Sequence, residues 1–138
     1  KELDNVLKML PRSLDDKFLT AVSREQSKPL VEKMKLLAPE GPTGNLVDSL
    51  GTVKKRKAQE LGTVWSGPRR KGGYKGFAGH LVEFGTKPRQ TKKGANRGFV
   101  KPDPFVEPAW QATKGTIEKG YAISVAKVLV RTMRRYLK

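Results

Sequence analysis

The chain of 138 residues has no cysteine and a single histidine, His80. Without thiols it can form neither a disulfide framework nor a thiolate metal site, and its redox compartment cannot be read from cysteine usage. No apolar run approaches the roughly 18 to 20 residues that a membrane span needs, and no charged start followed by an apolar block marks a secretory signal. We therefore expect a soluble intracellular product without a membrane anchor.

The groups that enzymes use for catalysis are also scarce. His80 and Glu83 form a His-x-x-Glu pair, but a metal site needs more ligands than these two, so a structural or interface histidine is the favoured interpretation. Asp15 and Asp16 occupy adjacent positions, which a helix does not bring to one point as an acid and base pair. Serines occur without a neighbouring base in any recognisable motif. We therefore expect a protein that is not an enzyme and has no metal or cofactor.

Acidic residues are few, since 13 Asp and Glu stand against 29 Lys and Arg and leave a net charge of +16. The excess lies in residues 54–101, where fourteen basic and two acidic side chains give +12. Residues 1–53 are neutral and residues 102–138 carry +4. A cationic block of this kind needs either solvation or an anionic partner. It therefore points to nucleic acid or an acidic protein surface, with a solubilising face as the alternative.

Apolar residues at helical spacing predict helices at both ends of the chain. One stripe runs through residues 2–22, resumes over 30–37 and stops at the Pro- and Gly-rich residues 38–42. Pro29, between the two halves, predicts either a kinked long helix or two helices that meet there. Near the other end, residues 109–138 form a second amphipathic pattern, with Pro108 in its first turn and basic residues at its end.

The segments between these helices favour strands and turns. Residues 50–57 and 60–66 are rich in β-branched and aromatic residues and predict two strands, joined by a hairpin at Ala58 and Gln59. Residues 67–73 predict a mobile loop, because their glycines match neither phosphate-binding spacing. Residues 74–84 predict a short helix that Gly85 ends.

The region from His80 to Trp110 organises the rest of the chain. Two apolar clusters, at 81–84 and 105–110, flank a basic segment with almost no apolar residues. Because only the ends of this segment can bury enough surface to be ordered, residues 86–103 predict a structureless loop between two hydrophobic anchors. The whole chain is then one domain, residues 1–138, with a long basic loop at about 87–103.

The same region carries a resemblance to a known family. Glu83-Phe84-Gly85-Thr86, followed by Pro104-Phe105 and Glu107-Pro108-Ala109, resembles the head-tail connector (tail-completion or neck) proteins of long-tailed bacteriophages. Thr43-Gly44-Asn45-Leu46 resembles the Thr-Gly-x-Leu step of the same family and lies in the right order along the chain. The basic segment departs from the family, in which the corresponding segment is commonly shorter and less basic.

The resemblance implies an α+β fold, in which a small antiparallel β-sheet packs against a long kinked N-terminal helix and a C-terminal helix. It further implies a homo-oligomer, a hexameric ring at the neck or tail top of the virion, assembled in the cytoplasm of the bacterial host. Such a ring joins the portal-side connector or adaptor to the tail tube and leaves a channel for DNA.

Two sets of candidate site residues follow. The residues expected at a subunit or partner interface are Glu83, Phe84, Gly85, Thr86, Phe105 and Trp110. The residues expected to contact DNA or an acidic partner are Arg69, Arg70, Lys71, Lys87, Arg89, Lys92, Lys93, Arg97 and Lys101. Glu83 has two interpretations, an exposed carboxylate paired with a nearby lysine, or an ion pair between subunits or a cap that fixes the ring geometry. Phe105 and Trp110 also suit a core position.

Two other functions compete with the ring. A free basic nucleic-acid-binding protein would explain the charge, although aromatic residues are not interleaved with the basic ones and no helix-turn-helix or zinc-finger spacing is present. A toxin-like protein or nuclease partner is disfavoured because the catalytic groups are missing.

Overall fold

The protein is α+β, as the sequence predicts, with a two-stranded antiparallel sheet, a bent N-terminal helix and a C-terminal helix. The structure, a computed structural model, describes residues 16–54 and 62–136. Four parts of the predictions lie outside the described residues. They are the helical stripe before residue 16, residues 55–57 and 60–61 of the two predicted strands, the hairpin link at Ala58 and Gln59, and the last two residues of the predicted C-terminal helix.

The described elements follow in this order along the chain: α1 Asp16–Gln26, α2 Lys28–Leu37, α3 Asn45–Ser49, β1 Leu50–Lys54, β2 Val64–Pro68, a 3-10 turn Gly76–Ala78, α4 Gly79–Phe84 and α5 Val106–Tyr136. Strand β2 begins at Val64, later than the predicted strand over 60–66, and continues to Pro68, so the predicted loop begins at Arg69 instead of Gly67. The predicted short helix is divided into the 3-10 turn and α4. Helix α5 begins three residues earlier than predicted. Among the described helices, none combines the length and apolar character that crossing a bilayer would require.

The N-terminal helix bends where α1 gives way to α2. Pro29 has no amide hydrogen, so the carbonyl of Glu25 receives no helical hydrogen bond from it. At Ser27 both the amide and the hydroxyl donate to the carbonyl of Ser23, at 3.0 and 2.6 Å. The prediction of a kinked helix at this proline is therefore confirmed.

The described chain divides into two compact units, one of which contains residues 30–51 and 66–113. Its core is formed by five buried apolar residues: Met34, Ala38, Leu50, Phe105 and Ala109. Met34 comes from α2, Leu50 from β1 and Ala109 from α5, so one small cluster joins the helices to the sheet. Val82 of α4 packs against this cluster and brings the Glu-Phe-Gly-Thr motif to its edge.

The other unit contains, among the described residues, 16–29, 52–54, 62–65 and 114–136. Its best-defined polar contact is the carboxylate of Asp16, which accepts hydrogen bonds from the Lys54 ammonium, the Gly62 amide at 2.9 Å and the Thr20 hydroxyl at 3.4 Å. The bond from Lys54, followed by that from Gly62, lowers the pKa of Asp16 below its ordinary value. The contact therefore stabilises the fold above that ordinary pKa and is lost as the pH falls through the lowered one.

Candidate functional site

Glu83 caps the long helix α5 from another part of the chain. Its Oε2 accepts hydrogen bonds from the amides of Phe105 and Val106, at 2.8 and 2.9 Å, and its Oε1 accepts one from the amide of Glu107 at 3.1 Å. A helix leaves its first four amides without partners. Here Glu83 satisfies three of them, and the fourth position is Pro108, which has no amide hydrogen.

The burial of Glu83 decides between its two interpretations. The residue is 7% exposed, so the prediction of an exposed carboxylate paired with a lysine is wrong. A negative charge at the positive end of a helix is favourable, and more so when water is excluded. The cap holds within one chain, where it joins the two parts of the motif that the sequence separates by more than twenty residues. An ion pair between subunits stays a prediction.

Directly after α4, Gly85 forms a turn and Thr86 pairs with the returning end of the basic segment. Gly85 has a φ of +69°, and a Cβ on it would lie 2.7 Å from both Pro102 Cδ and the Val100 carbonyl oxygen, so only glycine suits this position. The amide of Thr86 donates to the Val100 carbonyl at 2.9 Å, while the Val100 amide donates to the Thr86 hydroxyl at 2.9 Å. These two bonds pair the two ends of the basic segment.

The basic segment is an ordered hairpin, which corrects the prediction of a structureless loop. Beyond the Thr86–Val100 pair, the Arg89 amide donates to the Gly98 carbonyl at 3.0 Å, and the Arg97 amide donates to the Arg89 carbonyl at 2.7 Å. Two residues opposite one form the pattern of a β-bulge. Further out, Gln90 and Asn96 form an antiparallel bridge. We call residues 86–101 the basic arm.

The tip of the basic arm is closed by its own hydrogen bonds. The amides of Thr91 and Gly94 donate to the carbonyls of Ala95 and Thr91, both at 2.9 Å, and the Ala95 amide donates to the Thr91 hydroxyl at 3.0 Å. Hydrogen bonds within the arm, most of them between backbone groups, therefore order it without an apolar core of its own. The pattern of apolar residues in the sequence does not reveal such hydrogen bonds.

The cations of the basic arm all face solvent. Its six basic residues are exposed and it contains no Asp or Glu: Lys87, Arg89, Lys92, Lys93, Arg97 and Lys101. Within the part of the chain that the structure describes, none of the six forms a salt bridge. The arm therefore presents a net charge of +6 on a hydrogen-bonded frame. Arg70 and Lys71, which the sequence groups with these residues, are also exposed.

The two hydrophobic anchors are only partly buried. Phe105 is fully buried, as a core position requires, but Trp110 is 38% exposed and Phe84 is 78% exposed. Phe84 lies two residues after Val82, about 200° further round the helix, and therefore points away from the core that Val82 contacts. The expectation that Phe84 belongs to a buried anchor is wrong, whereas its expected place at an interface stays a prediction.

Arg69 is used within the chain. Its guanidinium donates from Nε to the Ser49 carbonyl at 2.9 Å and from the terminal nitrogen to the carbonyls of Asp48 and Leu50, both at 3.4 Å. It also lies 3.5 Å from the centre of the Tyr74 ring. A cation at the last carbonyls of α3 suits the negative end of that helix. The structure thus gives Arg69 a different role from the exposed partner contact that the sequence suggests.

Replacing Arg69 tests that role directly. We expect Arg69→Ala to lower the free energy of unfolding by about 1 to 2 kcal/mol, because the carbonyl bonds and the ring contact are lost together. The neighbouring Arg70→Ala removes the same charge from an exposed position and should change stability by less than about 0.5 kcal/mol. Urea denaturation of both variants measures the difference. An Arg69→Ala variant as stable as the wild type would return Arg69 to the candidate partner contacts.

His80 and Glu83 do not form a metal site. His80 is exposed, whereas the carboxylate of Glu83 is buried and accepts bonds from backbone amides. Across residues 16–54 and 62–136, no cluster of three or more His, Asp or Glu side chains could hold a metal ion.

Comparisons with protein-family models, with curated proteins and with solved structures found no match to this chain.

One feature of the surface is missing from the predicted site. Phe99 is 65% exposed and directly precedes Val100, the partner of Thr86. Along the chain, Phe84 lies two residues before Thr86 and Phe99 one residue before Val100, so both exposed phenylalanines are close in sequence to the pair that closes the basic arm. In the sequence, Phe99 could be noticed only as a single phenylalanine in a basic, turn-rich segment. Its position at the base of the arm becomes evident only once the backbone pairing of the arm is known.

Proposed function

We propose that this chain is a ring-forming structural protein of the head-tail junction of a tailed phage. In this proposal the copies form a hexameric ring at the neck or tail top of the virion, between the portal-side connector or adaptor and the tail tube, around a channel for DNA. Two observations support the proposal: the order of the motifs along the chain, and the α+β fold with a bent first helix and a long last one.

The observation that carries the proposal is the exposure of Phe84. Three residues of the motif Glu83-Phe84-Gly85-Thr86 have structural roles within the chain. Glu83 caps helix α5, Gly85 forms the turn, and Thr86 pairs with Val100. Phe84 makes no such contact among the described residues and presents 78% of its surface to solvent, and Phe99 is 65% exposed. Aromatic residues are enriched at the buried centres of protein interfaces. A motif whose remaining member faces outward is best explained by contact with another subunit.

Association is then the whole mechanism. Each copy presents the surface that contains Phe84 and Phe99 to a different surface of its neighbour, and rotation around an axis closes the ring. Two phenylalanines bury about 300 to 500 Å² at most, whereas a stable interface takes about 800 Å² from each partner. Further residues must therefore contribute, and the half-exposed Trp110 is the sequence-predicted residue that remains for this.

Substitution of Phe84 tests the proposed interface. We expect the wild-type protein to form a closed multimer, alone or with connector and tail-tube proteins, and Phe84→Ser to shift the mass toward the monomer. At an interface centre the loss of one aromatic residue weakens association by about 2 kcal/mol or more per contact, roughly thirtyfold. Native mass spectrometry and light scattering measure the masses across a concentration series.

Leu36→Ser is the matched control for this experiment. Leu36 lies on α2 and is 80% exposed, so the substitution removes a similar apolar surface outside the motif. The control should assemble as the wild type does, and both variants should keep the wild-type circular dichroism spectrum. A wild-type chain that remains monomeric with and without its proposed neighbours would contradict the ring, and a Phe84→Ser variant that assembles normally would remove Phe84 from the interface.

A free nucleic-acid-binding protein is the second candidate, favoured by the uncompensated charge of the basic arm. The two candidates differ in whether the chain ever assembles, alone or with connector and tail-tube proteins. A monomer that binds duplex DNA tightly at low salt, and never forms a multimer, would support the second.

A further inference from the structure

The basic arm presents six exposed cations and no acidic side chain on a hydrogen-bonded frame. We propose that it is a binding element for the phosphate backbone of duplex DNA, and that it recognises DNA without reading its sequence. This inference names the partner of one surface of the proposed ring and rests on that proposed function only for its location in the channel. The binding itself can be measured on the protein in any oligomeric state.

The frame of the arm is suited to this role. The Thr86–Val100 pair, the bulge at Arg89 and the Gln90–Asn96 bridge hold two antiparallel segments together. A two-stranded ribbon of this type is narrow enough to enter a DNA groove or to lie along its edge. Because the frame is fixed by its own hydrogen bonds before any partner arrives, less conformational entropy is lost on binding.

The distribution of charge favours phosphates. Basic residues lie on the outgoing segment, at the tip and on the return segment, and no acidic side chain interrupts them. Lysine and arginine are the residues that neutralise DNA phosphates, and contacts of this kind hold a protein on the duplex without reading its sequence. None of the six forms a salt bridge with the described residues, so binding breaks no existing ion pair.

An acidic protein partner fits the arm less well. Protein interfaces bury apolar and aromatic residues at their centres and are depleted in lysine there. From Lys87 to Arg97 the arm contains only one small apolar side chain, Ala95, besides Pro88. Its aromatic residue, Phe99, directly precedes Val100 at the base of the arm and belongs to the proposed subunit interface. The outer part of the arm therefore offers charge without the apolar contact that protein recognition requires.

The experiment compares two triple variants of equal charge. Lys92→Gln, Lys93→Gln and Arg97→Gln together remove three cations from the outer arm. Lys114→Gln, Lys119→Gln and Lys127→Gln remove three exposed cations from α5. All six side chains are exposed, so both proteins should keep the wild-type melting temperature. Binding to labelled duplexes of about 25 base pairs and of two unrelated sequences is measured by anisotropy between about 50 and 200 mM salt.

We expect the arm variant to bind at least about tenfold more weakly than the wild type at the low-salt end. Each phosphate contact contributes about 0.9 to the slope of log K against log salt, so the slope should fall in magnitude by about 2 to 3. For the α5 variant, the magnitude of the slope of log K against log salt should fall by less than about one, and both duplex sequences should bind with equal affinity.

Three results would overturn the inference. Equal losses for both triple variants would mean that net charge alone, and not the arm, attracts DNA. Failure of the wild type to bind duplex at low salt would exclude DNA as the partner. Tighter binding to polyglutamate than to the duplex, lost in the arm variant, would assign the arm to an acidic protein instead.

Failure of this inference is distinguishable from failure of the ring. The masses of all three proteins are measured at the same salt concentrations. A ring that assembles normally but shows no dependence of DNA affinity on the arm contradicts only the inference. A chain that stays monomeric with and without the connector and tail-tube proteins, but whose DNA affinity depends on the arm, contradicts only the ring.

Discussion

Replacing Glu83 by alanine is expected to lower the free energy of unfolding by about 3 kcal/mol or more, because three amides at the start of α5, one buried and two partly buried, lose their acceptor. Glu83 is 7% exposed and its two oxygens bond the amides of Phe105, Val106 and Glu107. An unsatisfied buried donor costs about 1 to 3 kcal/mol, although water that enters the new space would recover part of this. The free energy of unfolding of many domains is only about 5 to 15 kcal/mol in total, so the variant would have little stability left if this domain is near the lower value.

Two further variants separate the cap from simple loss of charge. Glu83→Gln keeps one acceptor oxygen and most of the shape, and should lose about 1 to 2 kcal/mol. Glu107→Ala removes an exposed carboxylate from the same helix end, where among the described residues the side-chain amide of Gln111 donates to it. This variant should lower the free energy of unfolding by less than about 1 kcal/mol. Urea denaturation gives the three values. Equal effects at positions 83 and 107 would show that the bonds from the amides to Glu83 contribute little.

Truncation of Phe105 should be about as severe. Phe105 is fully buried in the cluster that joins α2, β1 and α5, and Phe105→Ala leaves a cavity there. Such substitutions lower the free energy of unfolding by about 3 to 5 kcal/mol, from lost transfer energy and from the cavity together. The same denaturation experiment measures this effect, and the variant should also melt at a clearly lower temperature.

Phe99→Ala is the matched control for the core truncation. It removes the same side chain from a position that is 65% exposed, and should change monomer stability by less than about 0.5 kcal/mol. A small loss for Phe105→Ala, comparable with that of the control, would contradict the placement of Phe105 at the centre of the core.

The helices and the sheet could be predicted from local patterns. The bend at Pro29 depends on a missing amide, and the burial of Phe105 and Ala109 depends on the apolar spacing at the start of a helix. Both are properties of neighbouring residues. Strand β2 shares residues 64–66 with the predicted strand, whereas the described residues 62 and 63 lie outside it. The strand continues to Pro68 because proline is tolerated at the end of an edge strand.

The candidate site was harder to predict because its parts meet only in three dimensions. No local pattern states that the carboxylate of Glu83 reaches amides more than twenty positions later, or that Arg69 turns back to the carbonyls at the end of α3. The order of the basic arm depends on backbone pairing, which side-chain periodicity does not reveal. The outward position of Phe84 follows from helix geometry once Val82 is known to face the core.

The Thr86–Val100 pair has a consequence for how this chain can change over evolution. The pair closes the arm at its base, and Glu83 reaches α5 on the core side of that closure. Lengthening or shortening the outer arm therefore alters only the loop that this pair closes. The entropic cost of closing a loop grows as the logarithm of its length, by about 0.6 kcal/mol for each doubling. Residues beyond the pair are free to diverge in length and charge while the residues before and after it remain fixed, so a single scaffold can acquire different partners by exchange of one segment.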